Sequence, residues 1–224
     1  MLVRDGAVVE LDAHLARLSA SVEELYGEEL PRHLPERVAA AAGAGPLLRM
    51  RVLAVPGPGG LDVSPETTAL TAEPEPEPVV LAPALVAGGL GPHKWLDRRL
   101  LDELEQRLGA VPLVVDRDGD VLEAAFANVW ITEGDTLVTP PLDGRLLPGT
   151  TRASLLAAAR AHGLEVREES IPLERIEEAD ELLLSSAVRG VYPGVLGGRP
   201  PRFELGARLR AILRERQGSV SRPA

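Results

Sequence analysis

The segment Glu73–Pro78 constrains the fold more than any other part of this 224-residue chain. It reads Glu-Pro-Glu-Pro-Glu-Pro, and a proline at every second position removes backbone N–H donors that a helix or a sheet would use. Such a segment should be extended, exposed and similar to a polyproline helix. We therefore predict a linker here, between a small α/β domain over residues 1–78 and a larger domain over residues 79–224. A long surface loop is the alternative.

The composition excludes several classes of protein. With 45% hydrophobic and 26% charged residues, the chain is globular and not disordered as a whole, and without cysteine it is no disulfide scaffold. A net charge of −10 argues against nucleic-acid binding. No apolar stretch approaches the roughly 20 residues of a membrane span, no secretory signal follows Met1, and the histidines lack metal-ligand spacing. We expect a cytoplasmic protein with no metal, membrane or nucleic-acid partner.

The order of helices and strands predicts an α+β protein. Apolar residues recur at helical spacing over Leu11–Tyr26, Leu34–Ala42 and Lys94–Leu108, so we predict helices there. In the second half, short β-runs flank the turn Asp116–Asp120, which predicts a hairpin. Hairpins mixed with helices favour a two-domain α+β enzyme over a doubly wound sheet.

Lys94 is the only lysine among 24 basic residues. A coding bias that replaces lysine by arginine explains the other 23, because arginine serves on most surfaces. Arginine cannot supply a neutral amine, however, so a lysine that persists indicates a Schiff base or a general base. Chance survival is the alternative.

Two segments could bind an anion. Gly149, Thr150 and Thr151 lead directly into a predicted helix, where N–H groups and hydroxyls favour a phosphate or carboxylate. An ordinary Thr-capped helix is the alternative. The segment Ser185-Ser186-Ala187-Val188-Arg189-Gly190 follows an apolar strand, and its two hydroxyls, Arg189 and Gly190 could form a second wall of such a site, or a plain polar loop.

Glu123 and Asn128, the only asparagine, lie close together in one β-segment. In a strictly alternating strand their side chains would face opposite sides, so a bulge or bend is needed to bring both to one site. A carboxylate among apolar neighbours needs a partner, and a protonated ring nitrogen would be one. An edge-strand glutamate in water is the alternative.

Taken together, these segments resemble the fold-type IV pyridoxal-phosphate enzymes, also called class IV aminotransferases. The similarity runs in order from about Val3 to about Gly194. The blocks that carry it are His14-Leu15-Ala16-Arg17-Leu18, Lys94 with Asp97-Arg98, Asp118-Gly119-Asp120-Val121-Leu122-Glu123 with Asn128, Thr139-Pro140-Pro141-Leu142, Leu147-Pro148-Gly149-Thr150-Thr151-Arg152 and Ser186-Ala187-Val188-Arg189-Gly190-Val191. The resemblance implies a fold like that of D-amino acid aminotransferases, with pyridoxal 5′-phosphate held between the two domains.

The resemblance also implies a role for each site residue. Lys94 would bind pyridoxal phosphate as a Schiff base and then act as general base, and Glu123 would hold the pyridine nitrogen protonated. Leu147 would pack on the ring, Asn128 would order the strand beside the cofactor, and Arg189 is a candidate for a substrate carboxylate. The phosphate would be held by Arg17, Gly149, Thr150, Thr151 and Ser186.

Within the family, the chain is most similar to 4-amino-4-deoxychorismate lyases, because of Lys94-x-x-Asp97-Arg98 and Arg189-Gly190-Val191-x-Pro193. These enzymes make p-aminobenzoate and pyruvate in folate biosynthesis. A branched-chain or D-amino acid aminotransferase is one alternative. A non-catalytic pyridoxal-phosphate-binding relative is another, because the family's usual opening strands have no counterpart before Val3, which could affect substrate binding. In every case the resemblance implies a homodimer with a small-molecule substrate.

Overall fold

A computed structural model describes the backbone of residues 1–43 and 45–220. The contacts of the chain divide it into two compact units. The first unit comprises Met1–Pro74 and the residues from Gln217 onward, and the second comprises Glu75–Arg216. The division falls inside the segment Glu73–Pro78, which forms neither helix nor strand. The functional domains predicted over 1–78 and 79–224 remain a prediction.

The first unit combines a small antiparallel sheet with two helices. Its elements are β1 (Leu2–Arg4), β2 (Ala7–Val8), α1 (Leu11–Tyr26), α2 (Leu34–Ala42), β3 (Leu47–Gly57) and β4 (Gly60–Ala69). The strand order is β2-β1-β3-β4. Both helices have the predicted bounds, and Gly27 ends α1 in the left-handed conformation at φ 66°.

The second unit contains most of the strands. Its elements are β5 (Val79–Leu85), α3 (Arg99–Leu108), β6 (Val111–Val115), β7 (Asp120–Ala124), β8 (Ala127–Glu133), β9 (Thr136–Thr139), α4 (Thr150–Ala161), β10 (Glu165–Glu168), β11 (Ile171–Pro172), α5 (Leu173–Glu178), β12 (Glu181–Ser186), β13 (Gly190–Leu196) and α6 (Glu204–Val220). The mixture of helices, hairpins and two sheets confirms the predicted α+β class.

Six strands of the second unit close into a barrel. Their order is β8-β12-β13-β5-β6-β7, and β7 pairs again with β8 through Glu123 opposite Asn128 and Ala124 opposite Ala127. Three further strands extend the sheet: β9 pairs with β8, β10 pairs with β9, and β11 pairs with β7. We call these six strands the barrel.

Alternation along each strand divides the barrel residues between two faces. One set forms an apolar cluster drawn from all six strands, including Leu81, Leu113, Val121, Ile131 and Tyr192, and this is the inner face. Trp130, Leu183 and Val191 alternate with that set and pack instead with α4 and α6, on the outer face.

The helix predicted over Lys94–Leu108 begins later than expected. The chain is irregular through Arg98, and α3 starts at Arg99, so Lys94 lies on a loop. The Asp97 carboxylate accepts the N–H of Arg99 at 3.0 Å, and Leu96 and Leu100 are 59% and 52% exposed. The apolar spacing at 96 and 100 therefore does not belong to a buried helix face, which is why it misled the prediction.

Over the described part of the chain, no helix is both long enough and apolar enough to cross a membrane.

Candidate active site

The site is organised by a row of paired residues that crosses the outer face of the barrel. Glu123 on β7 pairs with Asn128 on β8, and Asn128 pairs with Ser185 on β12. Directly opposed residues project to the same side of a sheet, so all three side chains lie on the outer face. Ser185 belongs to the segment predicted as a possible second wall of an anion site, although the resemblance implies no role for it. It is buried, and its hydroxyl accepts the indole N–H of Trp130 at 2.9 Å.

Glu123 and Asn128 meet without the bulge that an unbroken strand would need. The two residues lie on different strands, joined by a tight turn at Ala125 and Phe126. A hairpin with two residues in its turn returns the chain directly opposite itself, so five positions of separation become one cross-strand pair. The prediction of opposite faces for an unbroken strand therefore does not apply.

The two side chains hold the backbone of Leu147 from both sides. Its N–H donates to Glu123 Oε1 at 3.3 Å, and its carbonyl accepts Asn128 Nδ2 at 2.9 Å. Because both peptide groups around Leu147 are bound, the loop that carries this residue is fixed over the row. Leu147 was predicted to pack on a cofactor ring, and that role stays a prediction.

Gly149 connects the row to α4. A Cβ at this position would lie 1.9 Å from Asn128 Oδ1, so only glycine allows the chain to pass so close. Gly149 is also the N-cap of α4, with extended backbone and no side-chain cap. The predicted capping by Thr150 or Thr151 is therefore wrong, since both lie inside the first turn.

Thr151 presents an unsatisfied polar atom at this helix terminus. The residue is 2% exposed, and its Oγ1 finds no hydrogen-bond partner among the residues that the structure describes. A buried hydroxyl without a partner costs free energy, which a ligand that binds it would recover. The first turn of a helix also favours negative charge, so the unsatisfied atom and the helix terminus point to the same kind of ligand, an anion.

Arg152, next along α4, is already engaged. Its Nη2 donates to the Pro140 carbonyl at 2.8 Å and to Glu168 at 2.9 Å, and its guanidinium lies 5.9 Å from the centre of the Trp130 ring. Burial lowers the pKa of Arg152, against the effect of Glu168. Arg152 therefore anchors the start of α4 through Nη2, while its buried Nε finds no partner among the residues that the structure describes.

Glu123 has an unusual pKa. The side chain is 5% exposed, and burial raises its pKa to about 7. The Leu147 N–H and the positive charge of Lys94 oppose this rise. A carboxyl group poised near neutrality beside a cationic amine is typical of a functional site. The same shift places Lys94 within electrostatic reach of Glu123, as the predicted roles require.

Lys94 lies on a loop that several hydrogen bonds close. The indole N–H of Trp95 donates to the Leu90 carbonyl at 3.3 Å, and this bond closes the loop from Leu90 to Trp95 around Lys94. Arg98 Nη2 donates to the Ala125 carbonyl at 3.1 Å, which ties the loop to the turn between Glu123 and Asn128. Sequence reasoning noted Arg98 only as part of a motif, because a contact to a backbone carbonyl leaves no sequence signal.

Ser186 and Arg189 lie at the other end of the row. Ser186 pairs with Gly190, and alternation turns it away from the face of Ser185. The Arg189 guanidinium stacks 4.0 Å from the centre of the Tyr192 ring and donates to the Glu77 carbonyl at 2.8 Å. The predicted roles of Ser186 at a phosphate and of Arg189 at a substrate carboxylate stay predictions.

Arg17 belongs to the first unit, on α1. It is half-buried, and burial lowers its pKa. Its predicted role at the phosphate also stays a prediction.

A family model described as amino-transferase class IV matches residues 1–195. The D-alanine aminotransferase of Bacillus licheniformis is 27% identical over 214 residues, which cover 85% of this chain and 75% of that protein. A branched-chain aminotransferase of Arabidopsis thaliana is 35% identical over 79 residues, and the match covers 35% of this chain and only 21% of that protein.

Two solved structures show the same fold. A hypothetical aminotransferase from Mycobacterium tuberculosis in its PLP-bound form superposes with a TM-score of 0.84 at 22% identity, over 98% of this chain and 87% of that one. The 4-amino-4-deoxychorismate lyase of Pseudomonas aeruginosa gives a TM-score of 0.76 at 24% identity, over 96% and 88%. Both likenesses concern the fold.

Proposed function

Because this chain belongs to the class IV aminotransferases, a family of pyridoxal-phosphate-dependent enzymes, we propose that it converts 4-amino-4-deoxychorismate into p-aminobenzoate and pyruvate. The observation that carries the catalytic proposal is that two buried polar groups need a ligand: Glu123, which binds the Leu147 N–H and has a pKa raised to about 7, and the unpartnered Thr151 hydroxyl at the start of α4. A cofactor with a basic ring nitrogen and a phosphate satisfies both.

The residues of the site fit pyridoxal phosphate. Thr151 Oγ1 and the first turn of α4 would bind its phosphate, together with Thr150, and Gly149 gives the backbone room to approach. Glu123 would bind its ring nitrogen, and the Lys94 amine would hold it covalently. As the family resemblance implies, Arg17 and Ser186 would also contact the phosphate, and Arg189 would contact a substrate carboxylate.

When bound, pyridoxal phosphate withdraws electrons from the carbon that bears the substrate amine. Glu123 would sustain that withdrawal, because its carboxylate would keep the ring nitrogen protonated. Leu147 and Asn128 hold Glu123 and the cofactor-facing loop in place. Lys94 is then the one base required.

The chemical step needs one proton transfer at Lys94. As a free amine, its Nζ would take the proton from the substrate ring carbon that bears the amine. The C–O bond to the enolpyruvyl group then breaks, and the ring becomes aromatic. The leaving group takes up a proton and departs as pyruvate, while the amine stays on p-aminobenzoate. A positioned general base of this kind contributes about 10²–10⁴ in rate.

The lyase is favoured over a transaminase by sequence patterns at two ends of the site. Lys94-x-x-Asp97-Arg98 and Arg189-Gly190-Val191-x-Pro193 are similar to those of the lyases. Arg98 in the first pattern binds the Glu123–Asn128 turn, and Arg189 in the second lies at the end of the same row of strands. A transaminase is the second candidate, because the D-alanine aminotransferase match covers 85% of the chain.

One experiment separates the two candidates. The protein loaded with pyridoxal phosphate is incubated with aminodeoxychorismate, and p-aminobenzoate and pyruvate are measured by chromatography. A parallel sample receives D- or branched-chain amino acids alone. We expect equimolar p-aminobenzoate and pyruvate in the first sample and no pyridoxamine phosphate in the second.

The opposite pattern, pyridoxamine phosphate with an amino donor and no p-aminobenzoate, would establish the transaminase instead. Protein reduced with borohydride after loading is the control, because its Lys94 can no longer be released. Binding of the cofactor with neither reaction would indicate the non-catalytic relative.

We also propose that the protein is a cytoplasmic homodimer, as the resemblance implies. Large apolar side chains exposed on the second unit support an association surface. They are Val80, Leu85, Trp95, Leu96, Leu100, Phe126 and Leu142. Light scattering after size exclusion should give twice the 23.8 kDa chain mass, and a monomer at micromolar concentration would contradict the proposal.

A further inference from the structure

The loop that carries Lys94 is bound by the backbone carbonyl of Arg145. The Arg145 carbonyl accepts the N–H of Leu90 at 3.1 Å and the N–H of Gly91 at 3.2 Å. Gly89 passes even closer, since a Cβ there would lie 2.0 Å from the same carbonyl oxygen. The position of Arg145 therefore fixes the position of this loop, which runs from Gly88 to Arg98 and which we call the lysine loop.

The position of Arg145 is set in turn by its side chain. The guanidinium bridges three carboxylates, with Asp143 at 2.6 Å, Asp116 at 3.0 Å and Asp120 at 3.7 Å. Hydrogen bonds to Asp143 and Asp116 raise the pKa of Arg145. A planar guanidinium can hold several carboxylates in a fixed geometry, which an ammonium group or a neutral side chain would not reproduce.

Asp116 closes the connection to the lysine loop. Its Oδ1 accepts the N–H of Gly88 at 2.8 Å. This bond, the N–H of Arg117 and the Arg145 guanidinium lower the pKa of Asp116 to about 2, so the carboxylate stays charged near neutral pH. The side chain and the carbonyl of Arg145 thus reach the same loop by two routes, through Asp116 to Gly88 and directly to Leu90 and Gly91.

Arg145 lies two residues before Leu147, whose backbone is bound by Glu123 and Asn128. One residue therefore joins the two loops on which the proposed chemistry depends. We propose that Arg145 is a positioning residue, which sets the Lys94 amine relative to Glu123 and touches neither substrate nor cofactor. This inference rests on the proposed function for its catalytic meaning, but the geometry can be tested without the cofactor.

The chain supplies a matched control in Arg175. Arg175 also bridges two carboxylates, Glu133 at 2.6 Å and Glu169 at 2.7 Å, and its side chain is 26% exposed against 25% for Arg145. Among the residues that the structure describes, Arg175 contacts neither the lysine loop nor the loop that carries Leu147. Arg175→Met and Arg145→Met therefore remove comparable ion networks, and only the second should affect the site.

The test uses the cofactor-free full chain. Reductive methylation with ¹³C-formaldehyde labels Lys94, the only lysine, and the N-terminal amine, and NMR resolves the two signals. Hydrogen exchange is measured at the amides of Leu90 and Gly91. We expect Arg145→Met to shift the Lys94 signal and to speed exchange at both amides at least tenfold, while Arg175→Met leaves the Lys94 signal in place and these rates within twofold.

Equal effects of the two variants on these readouts would overturn the proposal, since Arg145 would then act only through stability. Asp116→Ala provides a second test should Arg145→Met not fold, because it removes the bond to Gly88 directly and should reproduce the same changes. In loaded protein, Arg145→Met should weaken pyridoxal-phosphate binding about tenfold. If the wild type binds no pyridoxal phosphate, the proposed function fails while the exchange and NMR comparison still decides the role of Arg145.

Discussion

The inner and outer faces of the barrel are built from alternate residues of the same strands, yet they differ in chemistry. On β8, Ala127, Val129 and Ile131 join the apolar cluster inside, while Asn128 faces outward beside Glu123. Both faces contribute burial and close packing, and the outer face also carries Glu123 and Asn128, the polar groups of the candidate site. A period of two thus lets one strand supply stability and function from neighbouring positions.

The polar groups of the candidate site have a cost in stability. A carboxyl group with a pKa near 7 and a buried hydroxyl without a partner both destabilise the protein without ligand. The cluster on the inner face is apolar apart from one group of this kind, the buried Tyr192 hydroxyl. Substitutions in the inner cluster should therefore change stability and leave the chemistry unchanged, whereas substitution of a polar group of the site should change the chemistry.

The largest effect is expected at Lys94. Lys94→Arg keeps a positive charge and a long side chain but removes the neutral amine. Turnover of aminodeoxychorismate should fall by about 10²–10⁴-fold or more, with little change in the urea midpoint. A variant that retains more than about a tenth of the activity would place the base elsewhere.

A substitution inside the barrel should have the reverse effect. Ile131→Ala removes a side chain with no exposed surface and should cost about 2–5 kcal/mol in the free energy of unfolding, measured in urea. Activity per folded molecule should be unchanged. Leu25→Ala, at a side chain 40% exposed, is the control and should cost much less. A specific loss of cofactor binding in Ile131→Ala would break the separation of the faces.

Glu123→Gln tests the cost of the outer face through pH. Folding raises the pKa of Glu123 from 4.5 to about 7, so the folded state holds this proton more tightly, and wild-type stability falls as pH rises through that window. At about 1.36 kcal/mol per pKa unit, the free energy of unfolding of the cofactor-free variant should exceed that of the wild type by about 3 kcal/mol at pH 8. Near pH 4 the two values should be equal. Unfolding curves across pH measure this difference.

If the difference in the free energy of unfolding between wild type and Glu123→Gln did not vary with pH, the pKa of Glu123 would not be raised by folding. Once loaded with pyridoxal phosphate, the variant should lose activity, because a neutral amide cannot keep the ring nitrogen protonated.

A smaller effect is expected where Gly149 passes Asn128. Gly149→Ala would place a Cβ on Asn128 Oδ1 and displace the start of α4, so pyridoxal phosphate should bind about tenfold more weakly, or about 1.4 kcal/mol. In an Asn128→Ala background the added methyl meets no amide, and the further loss should shrink to about twofold. Additive losses in the double variant would contradict the contact, and Gly59→Ala, with nothing within 4 Å, is the control.

Much of the fold was predictable from local signals. The bounds of α1 and α2 followed from helical spacing that ends at Gly27 and Gly43. The start of α3 was missed, because the apolar residues at 96 and 100 extend the helical pattern although their side chains are exposed. Periodicity reports the spacing of apolar residues, and it does not report whether they are buried.

The candidate site was predictable in its residue types but not in its geometry. Lys94 and Asn128 attracted attention as the only residues of their kinds, and Gly149–Thr151 as a possible anion site. The pairing of Glu123 with Asn128 depends on a turn at Ala125-Phe126, which contains none of the glycine, proline or asparagine that mark turns. Ser185, Arg98 and Arg145 act through register or backbone carbonyls, which no pattern in the sequence encodes.

The central claim is that Lys94, beside Glu123 on the outer face of the barrel, binds pyridoxal phosphate. The most direct test is to add the cofactor, reduce the protein with borohydride, and map the pyridoxyl group by peptide mass spectrometry. The account predicts a visible absorption band that reduction abolishes, and a single adduct on Lys94. No band, or an adduct only on the amine of Met1, would contradict it.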